Sequence, residues 1–157
     1  MLTALGLFMR HHLVVLHEPY LRLMLAGRKR VECRLSSVRR APFEAVKAGD
    51  LLWFKLPSGP IAALGCAGQQ KFRRIAAPTD LMSLVKQHGS LICAADGFFE
   101  SAMDWARYAS FIWIDWVAAL RPMRVVKSDQ RAWVILKEPP RPGMRIESVE
   151  RPRAVAT

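Results

Sequence analysis

Lys29-Arg30-Val31-Glu32-Cys33-Arg34-Leu35 alternates with a strict period of two, and this constrains the fold more than any other stretch. Val31, Cys33 and Leu35 fall on one face of an extended strand, and Arg30, Glu32 and Arg34 on the other. The pattern calls for a sheet with one face against a core and the other presenting charge. That charged face is functional if it points into a cleft. Gly27 stands just before it, where a chain leaving a helix needs a residue tolerant of left-handed backbone.

The surrounding sequence reads as short β-prone runs separated by turn residues. His12 to His17 (HLVVLH) is expected to be the first strand. Pro19 suits a first helical turn, and Tyr20 to Leu25 then forms a short amphipathic helix with Arg22 outward. Gly49-Asp50 turns into Leu51 to Leu56 (LLWFKL), and Pro57-Ser58-Gly59-Pro60 is a hairpin turn. Ile61 to Cys66 is the partner strand, continued by Gln69 to Ile75, with Gly65 and Gly68 marking a bulge or a close backbone approach. Thr79-Asp80 caps a helix over Leu81 to His88, ended by Gly89. Ser101 and Asp104 fit a capping box for a further helix through Tyr108. Phe111 to Val117 (FIWIDWV) is a buried strand, and Arg121 to Val126 and Arg131 to Lys137 complete the sheet. The expected class is α+β, a small mixed barrel flanked by short helices.

At 157 residues the chain is long enough for one domain with a real core, and 52% hydrophobic content excludes a disordered protein. The domain is expected over 10–138, preceded by an extension over 1–9 and followed by a Pro- and Arg-rich tail over 139–157. That tail reads as an extended arm or as disordered. Met9 is an alternative initiator. Residues 2–9 are apolar but far short of the roughly 20 needed to span a bilayer, and they lack the marks of a signal peptide. Lys and Arg outnumber Asp and Glu by 24 to 13, for a net charge of +11. Such an excess favours a polyanionic partner, because each cation set against a phosphate releases condensed counterions. The densest basic block runs from Arg22 to Arg40, with seven cations and one acid. Three cysteines, Cys33, Cys66 and Cys93, make no metal or disulfide spacing, and a reducing cytoplasm is the simplest compartment. The four histidines make no ligand pattern either, and neither metal nor cofactor is expected.

The spacing Gly27-x-Lys29-x-x-Glu32-x-Arg34, placed after a short capped helix and before a Gly-Asp strand turn, resembles the signature of the ASCH family. That family is a branch of the PUA-like β-barrels. The resemblance covers roughly Leu13 to Leu64. It implies a PUA-like barrel with a cleft lined by the motif, and a partner that is RNA or another nucleic acid. Some family members act as enzymes on RNA or on modified nucleosides. One branch removes the acetyl group from N4-acetylcytidine with a lysine, a threonine and a later glutamate. Lys29 matches the lysine, Glu32 stands in place of the threonine, and the later acid corresponds to Glu100 or Asp96. Members linked to RNA cleavage keep the glutamate, so the departure weighs against the deacetylase.

Taken as chemistry, Lys29 is a phosphate or base contact, or a general base or nucleophile if desolvated. Glu32 and Arg34, two apart on one strand face, form a structural ion pair or a reading pair. A carboxylate there accepts from an exocyclic amino group such as that of cytosine, or moves a proton with Lys29. Tyr20 is a stacking candidate beside the motif, and at most one of Trp53, Trp105, Trp113 and Trp116 is a further platform. Gly27, Arg28, Arg30, Arg39, Arg40, Lys55 and Arg73 complete the expected nucleic-acid surface, with Lys71 and Arg74 as further cations. The leading reading is an RNA-binding protein, with DNA as a second nucleic acid and a role in RNA processing in view. A hydrolase on RNA or a modified nucleoside, using Lys29 with Glu32 or Glu100, is the alternative. A non-enzymatic adaptor is the third.

Overall fold

The computed structural model describes residues 9–149. The extension and the end of the tail, 1–8 and 150–157, lie outside the described residues, and so does the question of the initiator. Six strands and three helices follow in the order β1 (His11–Val15), α1 (Tyr20–Leu25), β2 (Val31–Ser36), β3 (Leu51–Lys55), β4 (Ile61–Arg74), α2 (Pro78–Ile92), α3 (Phe98–Ala102), β5 (Tyr108–Met123) and β6 (Trp133–Leu136). They form one mixed sheet in the spatial order β2-β5-β4-β3-β1-β6. Only β1 and β3 run parallel; every other neighbouring pair is antiparallel. This is the expected α+β barrel class, realised as a half-barrel.

The long strands β4 and β5 form the back of the half-barrel and also bend it. Their register shifts at Cys66/Ala67 and again between Ala67 and Gln70, and such bulges increase local twist. The two glycines there permit the bend. A Cβ on Gly65 would lie 2.9 Å from the Phe54 ring, and one on Gly68 would lie 2.1 Å from an Asp115 carboxylate oxygen. The curved sheet encloses a core of Val14, Leu16, Leu52, Phe54, Ala63, Ile112 and Trp133, closed at one end by Leu21 and Met24 of α1. On the convex side, Val31, Cys33 and Phe111 pack against Leu81 and Ile92 of α2 and Phe99 of α3. From Ala109 to Ile114 the odd and even residues of β5 thus serve two separate cores, while β2 gives Val31 and Cys33 to the helix side and turns Glu32 and Arg34 to the other face.

Several boundaries differ from the sequence expectation. α2 runs through Gly89 to Ile92 because Ile92 is buried in the helix-side core, and it stops where Cys93 takes a positive φ of 56°. Asp80 accepts from the backbone amides of Ala76 and Ala77, so the cap acts one turn earlier than expected. The capping box at Ser101 and Asp104 does not form. Ser101 instead donates to the Phe98 carbonyl, and Tyr108 opens β5, paired with Ser36 on one side and Arg74 on the other. Two flanking ladders outweigh a local cap. Arg121 to Met123 is not a new strand but the end of β5, where Met123 pairs with Ile61.

The proline-rich stretch is corrected over 139–149, which is neither an extended arm nor disordered. Met144 and Ile146 are buried with Leu13, Ile61, Val134 and Leu136 in a third cluster. Backbone bonds tie the stretch down, among them Ile146 N–H to the Val126 carbonyl and Val149 N–H to the Ile135 carbonyl. Each such buried side chain contributes about 1.5–3 kcal/mol. Truncation after Glu138 is therefore expected to lower unfolding stability by roughly 3 kcal/mol or more, read as a fall in the urea midpoint. An unchanged midpoint would restore the arm.

Candidate functional site

The site begins at the end of α1. Gly27 adopts φ 77°, and the amides of Arg28 and Lys29 both donate to the Leu23 carbonyl. This reversal turns the Lys29 side chain inward, where it is only 5% exposed. Its ammonium donates to the carbonyls of Val31 (3.0 Å) and Ile92 (2.7 Å). It lies 3.3 Å from Glu32 Oε2 and 5.6 Å from the centre of the Tyr20 ring.

Glu32 is 4% exposed and sits between two cations. Its Oε1 accepts from Arg34 Nε at 2.6 Å. Its Oε2 feels the charge of Lys29 but has no hydrogen bond, and among the described residues it is the one buried side-chain oxygen or nitrogen left without one. Arg34 reaches across to the carbonyl of Val15 (2.8 Å) and lies 5.6 Å over the Trp133 ring. These side chains open on a cavity of about 250 Å³ whose walls include Tyr20, Glu32, Cys33, Phe98 and Trp105. Trp105 is 45% exposed, at the rim. Burial, then the neighbouring Glu32 charge, pushes the Cys33 thiol up to about 12, so Cys33 is a wall and not a nucleophile.

Behind Arg34 runs a buried chain of hydrogen bonds. Trp133 Nε1 donates to His12 Nδ1 at 3.0 Å, and His12 Nε2 lies 2.9 Å from Asp50 Oδ2. An indole can only donate, so His12 carries its proton on Nε2 and donates it to Asp50. Burial alone would raise the Asp50 carboxyl. The bond from His12 and the amides of Lys47 and Arg10 outweigh it and hold Asp50 below its ordinary value. The chain fixes the indole on whose face Arg34 rests.

The structure thus brings Tyr20, Lys29, Glu32 and Arg34 together, with Gly27 shaping the turn outside the cavity wall. Arg28 and Arg30 are exposed outside the cavity, and Arg39 pairs with Glu44 at the surface. Arg40 lines a different, adjoining cavity. Glu100 sits exposed on α3 and lines neither cavity, and Asp96, in the turn before α3, is also exposed and lines neither. The later acid is therefore not brought to the motif. Lys55 is also corrected: it is 7% exposed and donates to the Leu56 carbonyl. Burial, then Arg124, pulls it below its usual range, which does not describe a surface phosphate contact. Arg73 is exposed and donates to the carbonyl of Phe72, and Lys71 approaches His88 at 2.9 Å. Phe98, His12, Asp50 and Trp133 were missed by the sequence reading. The alternation in HHLVV, which places His12 on the face of Val14, was the available signal for His12.

No family model matches the chain, and no curated protein does. Solved structures do. The ASCH protein of Zymomonas mobilis aligns with a TM-score of 0.56 at 14% identity, over 71% of each chain. Two single-substitution variants of that protein each align at a TM-score of 0.58 and 14% identity, over 73% of this chain. At that identity the likeness concerns the fold, which is ASCH- and PUA-like. No helix among the described residues is long and apolar enough to cross a membrane.

Lys29→Ala would leave Glu32 buried beside one cation instead of two. Breaking a buried pair costs about 3–5 kcal/mol, so this variant is expected to unfold at markedly lower urea, with Lys29→Met/Glu32→Gln recovering part of the loss. An unaltered midpoint in Lys29→Ala would contradict the buried pairing. Asp50 adds a pH dependence. With its folded value depressed, its contribution is fully present above about pH 4, the ordinary Asp range, and is lost as pH falls through the folded value. Asp50→Asn should flatten the acid limb of a stability curve taken from pH 6 to pH 2; a limb identical to wild type would count against the chain.

Proposed function

We propose that the protein binds single-stranded RNA and takes one base into the motif cavity, where Glu32 reads an exocyclic amino group. The observation that carries this is the Glu32 carboxylate. Its Oε2 is buried without a hydrogen bond, and Glu32 is one of the residues that line the cavity. A buried acceptor left open is costly unless a ligand donor fills it. Cytosine supplies such a donor from N4, whereas uracil sets an acceptor oxygen against the carboxylate. At about 250 Å³ the cavity lies just below the ~300–1,000 Å³ of typical small-molecule sites. That suits one base better than a longer ligand. Tyr20 and Trp105 are aromatic residues of the cavity available for stacking, and the net charge of +11 suits a polyanion.

The same geometry favours a binder over the hydrolase. The Lys29 ammonium is committed by hydrogen bonds to two carbonyls and by charge alone to the Glu32 carboxylate. No second carboxylate stands in the cavity wall beside Glu32. The adaptor reading expects an uncharged motif face under the tail. Here the face is charged, and the docked stretch 139–149 packs on the third cluster. The free thiols of Cys33, Cys66 and Cys93 suit a reducing compartment such as the cytoplasm.

The test is a gel-shift comparison of oligocytidylate and oligouridylate with wild type, Glu32→Gln and Trp105→Ala. The wild type is expected to favour oligocytidylate by roughly tenfold, the worth of one good base contact. Glu32→Gln should erase the preference, and Trp105→Ala should weaken both oligomers. Equal wild-type affinities that neither variant alters would overturn the base pocket. No shift at low salt would overturn RNA binding itself.

A further inference from the structure

A second cavity of about 450 Å³ adjoins the first, and Arg34 and Leu35 line both. Its composition differs in a way that indicates a ligand. Three guanidinium groups line it, those of Arg34, Arg40 and Arg131, and none of its lining residues is acidic. Arg131 is held by Asp129 just behind the wall, so its charge is largely spoken for. Arg40 is exposed and forms no ion pair or side-chain hydrogen bond among the described residues. Arg34 spends two N–H groups on Glu32 and Val15. A guanidinium has five, so donors remain at the shared wall.

The other walls suit a nucleotide as well as an anion. Ser110 pairs directly with Arg34 in the β2–β5 ladder, and its buried side chain lines the cavity. The half-buried Tyr108 ring lines it too, edge-on to Phe43 and with Arg74 5.8 Å from its centre. Such a ring can stack a base while arginine contributes a cation–π term.

We infer that the two cavities hold consecutive nucleotides of one strand, with the connecting phosphate at the wall between them, contacted by Arg34 and Arg40. The inference rests on the reading of the motif cavity as a base site and deepens it. The ligand is a phosphodiester-linked step, not a free nucleoside. The second cavity takes the neighbouring ribose and base against Tyr108, and Arg40 is its phosphate contact.

The experiment is displacement of a labelled hexamer of oligocytidylate by cytidine and by cytidylyl-(3′→5′)-cytidine. Wild type, Arg40→Glu, Arg40→Ala and the charge control Arg145→Glu are compared. Arg145 is exposed and lines neither cavity. In wild type the dinucleotide is expected to compete roughly tenfold or more better than cytidine, as one charge-assisted contact allows. Arg40→Ala and Arg40→Glu should remove that gain while leaving the inhibition constant of cytidine, corrected for the weaker hexamer, unchanged, and Arg145→Glu should keep it. Equal competition by the two ligands, or a gain that survives Arg40→Glu, overturns the second subsite. If Arg145→Glu removes the gain as fully as Arg40→Glu, general charge is responsible and the subsite is again overturned. A hexamer that fails to bind wild type, or that binds Glu32→Gln, carried alongside, as tightly as wild type, overturns the base pocket and this inference with it. A hexamer that needs Glu32 but ignores Arg40 overturns the second subsite alone.

Discussion

A carboxylate buried at 4% exposure organises this protein. An isolated ionised carboxylate in an apolar core costs far more than a domain's net stability, so it needs cations and hydrogen bonds around it. Glu32 obtains Lys29 from the turn after α1 and Arg34 from its own strand. Each cation is then committed elsewhere as well, Lys29 to the carbonyl of Ile92 at the end of α2 and Arg34 to that of Val15 at the end of β1. The triad therefore ties together three segments distant in sequence and draws β2, one edge of the sheet, toward β1 near the other. Oε2 remains without a hydrogen bond, and Glu32 lines a cavity.

The rest of the fold positions this arrangement. Bulges at Gly65 to Gln70 curve β4 and β5, and the curvature sets Glu32 and Arg34 on the enclosed face opposite Ile112 and Ser110. The helices α2 and α3 cover the convex side, so their own contribution to the site comes from their ends: the Ile92 carbonyl, Phe98 and, just beyond α3, Trp105. From the far side, Asp50, His12 and Trp133 form a relay of fixed polarity, and the indole at its end supports the Arg34 guanidinium. A buried polar chain of this kind rigidifies what it touches because every donor has one acceptor. Ligand binding at the two cavities would therefore meet a preformed wall, with little ordering cost.

Much of the architecture was legible in local pattern. Period-two alternation located β2 and its two faces, turn residues separated β3 from β4, and the helix over Tyr20 to Leu25 ended at the glycine. Errors fell where local signals competed with long-range pairing. Ser101 and Asp104 look like a helix start, yet Tyr108 joins two ladders and ends the matter. Gly89 looks like a helix stop, yet the apolar pocket that receives Ile92 carries α2 one turn further. The prolines after Glu138 look like a loose tail, yet Met144 and Ile146 find a patch made by β1, β4 and β6. None of these partners is near in sequence.

By itself the sequence determined the α+β class, the cationic character, and the clustering of Lys29, Glu32 and Arg34 within one turn and one strand. Those properties depend on residue type and short-range period, which a single chain displays directly. Only the tertiary structure decided which charges are buried. Lys29 and Lys55 look as solvated as Arg28 or Arg40 on paper, yet both lysines are enclosed and both arginines are exposed. Likewise Glu100, an equally good acid by type, ends outside the site, while Phe98 and Trp105 from the same region form its wall. Burial depends on what remote segments bring to a position, and the free energy of a charge depends chiefly on burial. For that reason the chemistry of this site was written in the fold, and only its ingredients in the chain.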